Sequence, residues 1–133
     1  MAVTLTRNGT TLALSDRLVW TDEHAWHPVA METATGTRGD LIVWARARQA
    51  GRPITLEGEQ SEAWMTLAEV EAIKTLAALP AAQFTLHIRG ADYDVLFDHT
   101  QGAAVQARPL WDLADGEQTP DMPMRPTFRF IEV

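Results

Sequence analysis

The chain has 133 residues, 46% hydrophobic and 22% charged, the size and balance of one globular domain with a core of its own. A net charge of −7, with Lys74 as the single lysine, argues against a surface built to grip phosphates. The lack of cysteine excludes disulfides, thiolate metal sites and a thiol nucleophile, and no apolar run approaches the roughly 20 residues that span a bilayer.

The opening MAVTLTRNG carries neither the basic start nor the apolar run of a secretory leader, so the expected compartment is the cytoplasm of the cell that makes the protein. Val3 and Leu5 alternate with Thr4 and Thr6. Asn8-Gly9 is a type I′ turn dipeptide, and Leu12 and Leu14 alternate beyond it, which predicts a first hairpin. Residues 16–28 (DRLVWTDEHAWHP) hold no sustained period and read as a connecting loop. A strand is expected over 29–35, turned by GTRG at 36–39. Residues 41–48 (LIVWARAR) form the strongest apolar run of the first half. Leu41, Val43, Ala45 and Ala47 fall on one face, and Ile42, Trp44, Arg46 and Arg48 on the other, a face whose arginines and tryptophan call for stacking or cover.

Residues 52–98 carry the clearest local codes. Ile54 and Leu56 alternate with Thr55 and Glu57 as a strand. A helix of about 62–79 follows. Thr66 and Glu69 have capping-box spacing, with Ser61 as an alternative cap, and Leu67, Val70, Ile73, Leu76 and Ala77 make one apolar stripe that ends before Pro80. Phe84, Leu86 and Ile88 then alternate with polar residues. Gly90-Ala91 suits a type II′ turn, and Tyr93, Val95 and Phe97 continue the alternation, with Leu96 breaking the polar face. A strand is expected over 104–110 with Pro109 at its end or on an edge, then a solvated acidic loop over 112–121, then a terminal strand over 127–133. About eight or nine strands and one helix give a mainly β class, an antiparallel β-barrel or sandwich flanked by a helix, as a single domain over 1–133.

Chemistry is sparse. His24 and His27 stand beside Asp22 and Glu23 and could be offered to a metal, but a spacing of three on a loop does not fix two ligands, and a polar loop is the favoured reading. Asp98-His99 has the form of an acid–histidine pair. Neither Ser15 nor Ser61 lies in a nucleophile-elbow context. Glu57, Glu59 and Glu62 read as a solvated strand end leading to a helix start rather than as paired catalytic carboxylates. No glycine-rich phosphate loop is present, and tryptophans and arginines that could stack nucleobases meet an acidic total. The reading is therefore of a non-enzyme without cofactor. Trp20, Trp26, Trp44, Trp64 and Trp111 make a tryptophan count that suits core and subunit contacts.

The order of the pieces resembles a family of small tail proteins of contractile-tailed bacteriophages and prophages, the baseplate-hub or tail-tube adaptors sometimes called ripcord proteins. The matching segments are LVWTDEHAW, GRPITLEGE, AWMTLAEVEAIKTLAAL, LHIRGADYDVLFDH, ARPLWD and TFRFIEV, which together cover most of the chain without a signature motif. The resemblance implies a barrel similar to the tail-tube subunit, assembled as a homohexameric ring between tube and hub in the virion tail. DNA would pass through as cargo without specific binding, and no membrane would be involved. It implies no catalytic residue, and because the peptidoglycan-binding domain of some relatives is not expected here, neither is cell-wall binding. Candidates for subunit contacts are Trp26, Trp44, Trp111, Asp112 and Asp115. A distal tail or tube-terminating protein, a small metal-binding or enzymatic domain using His24 and His27, and a free monomeric binding module are the competing expectations.

Overall fold

The computed structural model describes residues 3–48, 50–58, 63–111 and 114–133. In chain order these form β1 (Val3–Arg7), β2 (Thr10–Leu14), β3 (Val19–Trp20), β4 (Val29–Thr35), β5 (Leu41–Ala47), β6 (Pro53–Glu57), β7 (Met65–Thr66) and α1 (Leu67–Ala77). Then come β8 (Phe84–Ile88), β9 (Ala91–Phe97), β10 (Val105–Pro109), a 3-10 turn at Asp115–Glu117, and β11 (Pro123–Glu132). The class is mainly β with one helix, and every strand pairing is antiparallel.

Strand β11 is the hub. Its ten residues alternate half-buried and buried almost throughout, with Met124, Pro126, Phe128 and Phe130 turned inward. Along one side it pairs with β10 through residues 124–128 and with β9 through 130–132. Along the other it pairs with β7 through 123–124 and with β6 through 127–131. Pro126 lies between the β7 and β6 ladders, where its missing N–H leaves no partner unmet, and its carbonyl accepts from the Gly58 amide at 2.9 Å. Gly58 permits that approach, since a Cβ there would sit 2.9 Å from the same oxygen.

The main sheet runs β2-β1-β8-β9-β11-β6-β3, with β10 and β7 attached to β11. It does not close, which corrects the expected barrel. The outer edges of β2 and β3 meet no further strand among the described residues, and β4 and β5 pair only with each other. The strongly apolar run of β5 lies outside this sheet, and all seven of its residues are exposed. The core forms from Val3, Leu5, Ile54, Leu56, Phe84, Leu86, Val95, Phe128 and Phe130, with α1 adding Val70, Ile73 and Ala77. Phe97 meets Phe84 edge-on at 5.1 Å and Phe130 at 4.9 Å between ring centroids.

Several local codes resolve as expected and others shift. Thr66 caps α1 by accepting from the Glu69 amide at 3.3 Å, the first half of a capping box, while the Glu69 carboxylate accepts from the Thr66 hydroxyl at 3.1 Å. The helix therefore begins at Leu67 rather than near 62, because Met65 and Thr66 are held in the sheet by β11; the alternative cap Ser61 lies outside the described residues. It ends at Ala77, two residues earlier than predicted, with Ala78 as its cap. The β8–β9 turn has Arg89 and Gly90 at its centre, both at positive φ (49° and 77°), with Ile88 opposite Ala91, which is the I′ geometry and not the II′ turn expected at Gly90-Ala91. Asn8-Gly9 forms the I′ turn its sequence predicts, at φ 51° and 81°. The 16–28 segment contains β3, two residues long and paired to β6, so it is not wholly loop.

Three substitutions separate core from coat in urea denaturation. Phe84→Ala and Phe130→Ala are expected to cost about 3–5 kcal/mol each, whereas Asp115→Lys, in a loop whose described neighbours are exposed, stays within about 0.5 kcal/mol. An Asp115→Lys loss as large as that of Phe84→Ala would mean that the acidic loop is packed.

Candidate functional site

The feature that the core does not explain is the β4–β5 ribbon. Its strands face each other over seven residue pairs, from Val29 opposite Ala47 to Thr35 opposite Leu41. Asp40 closes the turn, its carbonyl accepting from the Gly36 amide at 2.7 Å, and Gly39 takes φ +83°. Cross-strand partners share a face, so one face carries Val29, Met31, Thr33, Thr35, Leu41, Val43, Ala45 and Ala47, without a charge. The other carries Ala30, Glu32, Ala34, Ile42, Trp44 and Arg46. Both faces are open: Leu41 is 68% exposed, Met31 61% and Trp44 57%. The alternation of residues 41–48 is as the sequence predicts, but nothing among the described residues supplies the cover that it calls for.

The root of this arm is the opposite, a tight knot of charge and aromatic rings. Arg52, immediately before β6, lies over Trp20 at 4.6 Å and over Trp26 at 5.7 Å, and its Nη2 donates to the Glu23 carbonyl at 3.0 Å. Arg89, from the β8–β9 turn, also lies over Trp20, at 5.5 Å, and pairs with the Glu23 carboxylate. Tyr93 meets Trp20 edge-on at 5.7 Å. Asp22 accepts from both the amide and the hydroxyl of Thr55, each at 3.0 Å. The Arg48 amide donates to the Pro28 carbonyl at 2.8 Å, extending the ladder to the arm's base, and Arg52 and Gly51 bond to Glu132 of β11. Segment 20–26 and Arg52 thus fix the entry and exit of the arm against β6, β9 and β11.

Metal and catalytic candidates do not converge. The His24 side chain is 92% exposed, with Glu23 at 3.5 Å, and His27 is exposed. Asp22 and Glu23 are occupied at the arm's root, and among the described residues no three histidine or carboxylate groups gather as a metal site would require. Asp98 and His99 turn to different partners: the Asp98 carboxylate accepts from the Thr100 amide at 2.9 Å, and His99 Nε2 meets the Ala77 carbonyl at the end of α1 at 3.1 Å. Ser15 Oγ accepts from the Arg17 amide. Glu57 is half-buried at the end of β6, and Glu59 and Glu62 lie outside the described residues.

The expected contact residues are dispersed. Trp44 is on the arm, Trp26 is half-buried at its root, and Trp111 stands 57% exposed after β10. Asp112 and the side chain of Asp115 lie outside the described residues. Sequence reasoning did not name Met31, Leu41 and Val43 as contact residues. Their signal was present in an uncharged face of an apolar strand, but that pattern is also the pattern of a core strand. No helix among the described residues is long and apolar enough to cross a membrane. No protein-family model matches the chain, and no curated protein or solved structure matches it.

Because the arm is exposed and the root is packed, the two respond differently to substitution. Met31→Ser and Val43→Ser are expected to shift the unfolding free energy by no more than about 0.5 kcal/mol. Arg52→Ala is expected to lower it by about 1–3 kcal/mol through loss of its ring contacts and hydrogen bond, measured by chemical denaturation of the purified chain.

Proposed function

We propose that the protein is a structural subunit of a contractile-tail particle of phage type, one of a ring that joins tube to baseplate hub and continues the DNA channel. The uncovered arm carries this reading. A ribbon with an uncharged apolar face on one side and tryptophan and arginine on the other is a surface for protein partners. The resemblance of LVWTDEHAW, GRPITLEGE and TFRFIEV to the adaptor family supplies the kind of assembly. The acidic balance supports it as well, since a conduit that must release DNA works best when its wall repels phosphate. The polar groups nearest to a catalytic pattern are spent on backbone geometry, which favours a wall over an enzyme.

The test is incorporation. A tagged chain expressed in cells that produce the tail is expected to co-purify with sedimented particles, and replacing residues 30–46 by a short glycine-serine turn is expected to leave a folded chain outside them. Mass spectrometry of the particles reads both. A chain that never enters particles, or an armless chain that enters as well as the intact one, would overturn the proposal.

A further inference from the structure

The body carries an apolar surface of its own. A shallow trough of about 390 Å³ runs between β2 and α1, lined by Leu12, Ala13, Ala68, Ala72 and Ile73, with Glu69 supplying its charge. Beside it the outer edge of β2 meets no strand among the described residues, leaving a row of backbone donors and acceptors that a further strand can use. The small side chains of Ala13, Ala68 and Ala72 leave room for a ribbon to lie close, and Ala13, Ala68, Glu69, Glu71 and Ala72 are exposed.

Charge distinguishes arm from body. Residues 28–48 hold three arginines (Arg38, Arg46, Arg48) against two acids (Glu32, Asp40), while the rest of the chain holds eight basic residues against sixteen acidic ones. The arm is therefore weakly basic and the body strongly acidic; Glu69 is the charge in the trough itself, with Glu71 and Lys74 exposed elsewhere on the helix.

We propose that the β4–β5 arm of one copy docks on a second copy of this chain, its apolar face over the β2–α1 trough and an arm strand beside the free edge of β2, the net basic charge of the arm drawing it to the acidic body. The occupant is a second copy because this chain supplies both halves, the apolar ribbon and the apolar trough, with opposite charge balance. Arm and trough are different surfaces, so the contact is head-to-tail and repeats from copy to copy, as a ring or a stack requires. The inference rests on the assembling-subunit reading and names the surfaces through which assembly takes place.

The chain contains no cysteine, so introduced thiols report unambiguously. Val43→Cys places a thiol on the apolar face of the arm, and Ala72→Cys places one in the trough, both at exposed positions. The two variants, carrying tags of different mass, are mixed at rising concentration under mild oxidation. The expected result is a mixed Val43→Cys/Ala72→Cys dimer in excess of either homodimer. It should be competed away by unmodified chain and lost on adding Met31→Glu to the arm or Ala68→Glu to the trough, each with its melting temperature retained. A product made only of Val43→Cys homodimers would show arms pairing with arms and overturn the proposal. So would a statistical mixture, or no disulfide at any concentration. If the docking fails while the intact chain is still recovered in tail particles, only the choice of surfaces falls; absence from particles overturns the assembly reading whatever the crosslinks show.

Discussion

The two-sided pairing of β11 is the constraint on which the rest depends. Four separate strands bond to this one, two along each side, and β7 and β10 have no other partner strand among the described residues. Each comes from a different part of the chain, and β11 itself comes last, so the sheet is continuous only after contacts of long sequence separation have formed. Its inward residues occupy the middle of the core, and Phe128 and Phe130 have almost no exposed surface. Pro126 is compatible with so central a strand only because it sits in the interval between two ladders. The same interval is where Gly58 approaches, so a proline and a glycine together solve one local problem.

The same pairing also settles where the arm can begin. Gly51 donates to Glu132 and Glu132 donates to Arg52, both at 2.8 Å, so the C-terminal end of β11 grips the point at which the chain leaves the arm and enters β6. Trp20, Trp26 and Arg52 complete the grip by stacking, although Trp20 Nε1, Trp26 Nε1 and Arg52 Nε stay buried without a hydrogen-bond partner among the described residues. Ring contact outweighs hydrogen bonding at this point. A two-stranded ribbon alone is marginal in water, and the anchored root lowers the entropy that the arm would otherwise lose on ordering.

The alternating and turn-forming segments were legible residue by residue. Phe84, Leu86, Ile88, Ile54 and Leu56 are buried where a period of two puts them, Val70, Ile73 and Ala77 where a helical stripe puts them, and Asn8-Gly9 turns as its dipeptide requires. The turn at Arg89-Gly90 was misplaced by one residue because glycine tolerates either central position, and the pairing of Ile88 with Ala91 decides the matter only in three dimensions. The barrel failed for a larger reason. Periodicity reports that a strand has an apolar face, and it is silent on whether that face meets the chain's own core or another molecule. Val3 and Leu5 in β1 alternate as Leu41 and Val43 in β5 do, yet the first pair is buried and the second open to solvent. The contact candidates were legible in part for the same reason: Trp44 was named from composition, while Met31 across the same ribbon has no sequence feature that separates it from core methionines such as Met65 and Met124.

Placing the apolar surface on one arm of an acidic body also bears on specificity. Two bodies that carry sixteen acids against eight bases, counted without their arms, repel at close range in most orientations. Hydrophobic attraction alone has no direction and would join copies in many ways. Repulsion between bodies penalises most of those, leaving the approaches in which a weakly basic, apolar ribbon meets the partner first. In the proposed assembly the acids that decorate the coat would oppose unproductive encounters and so give a non-directional attraction an orientation.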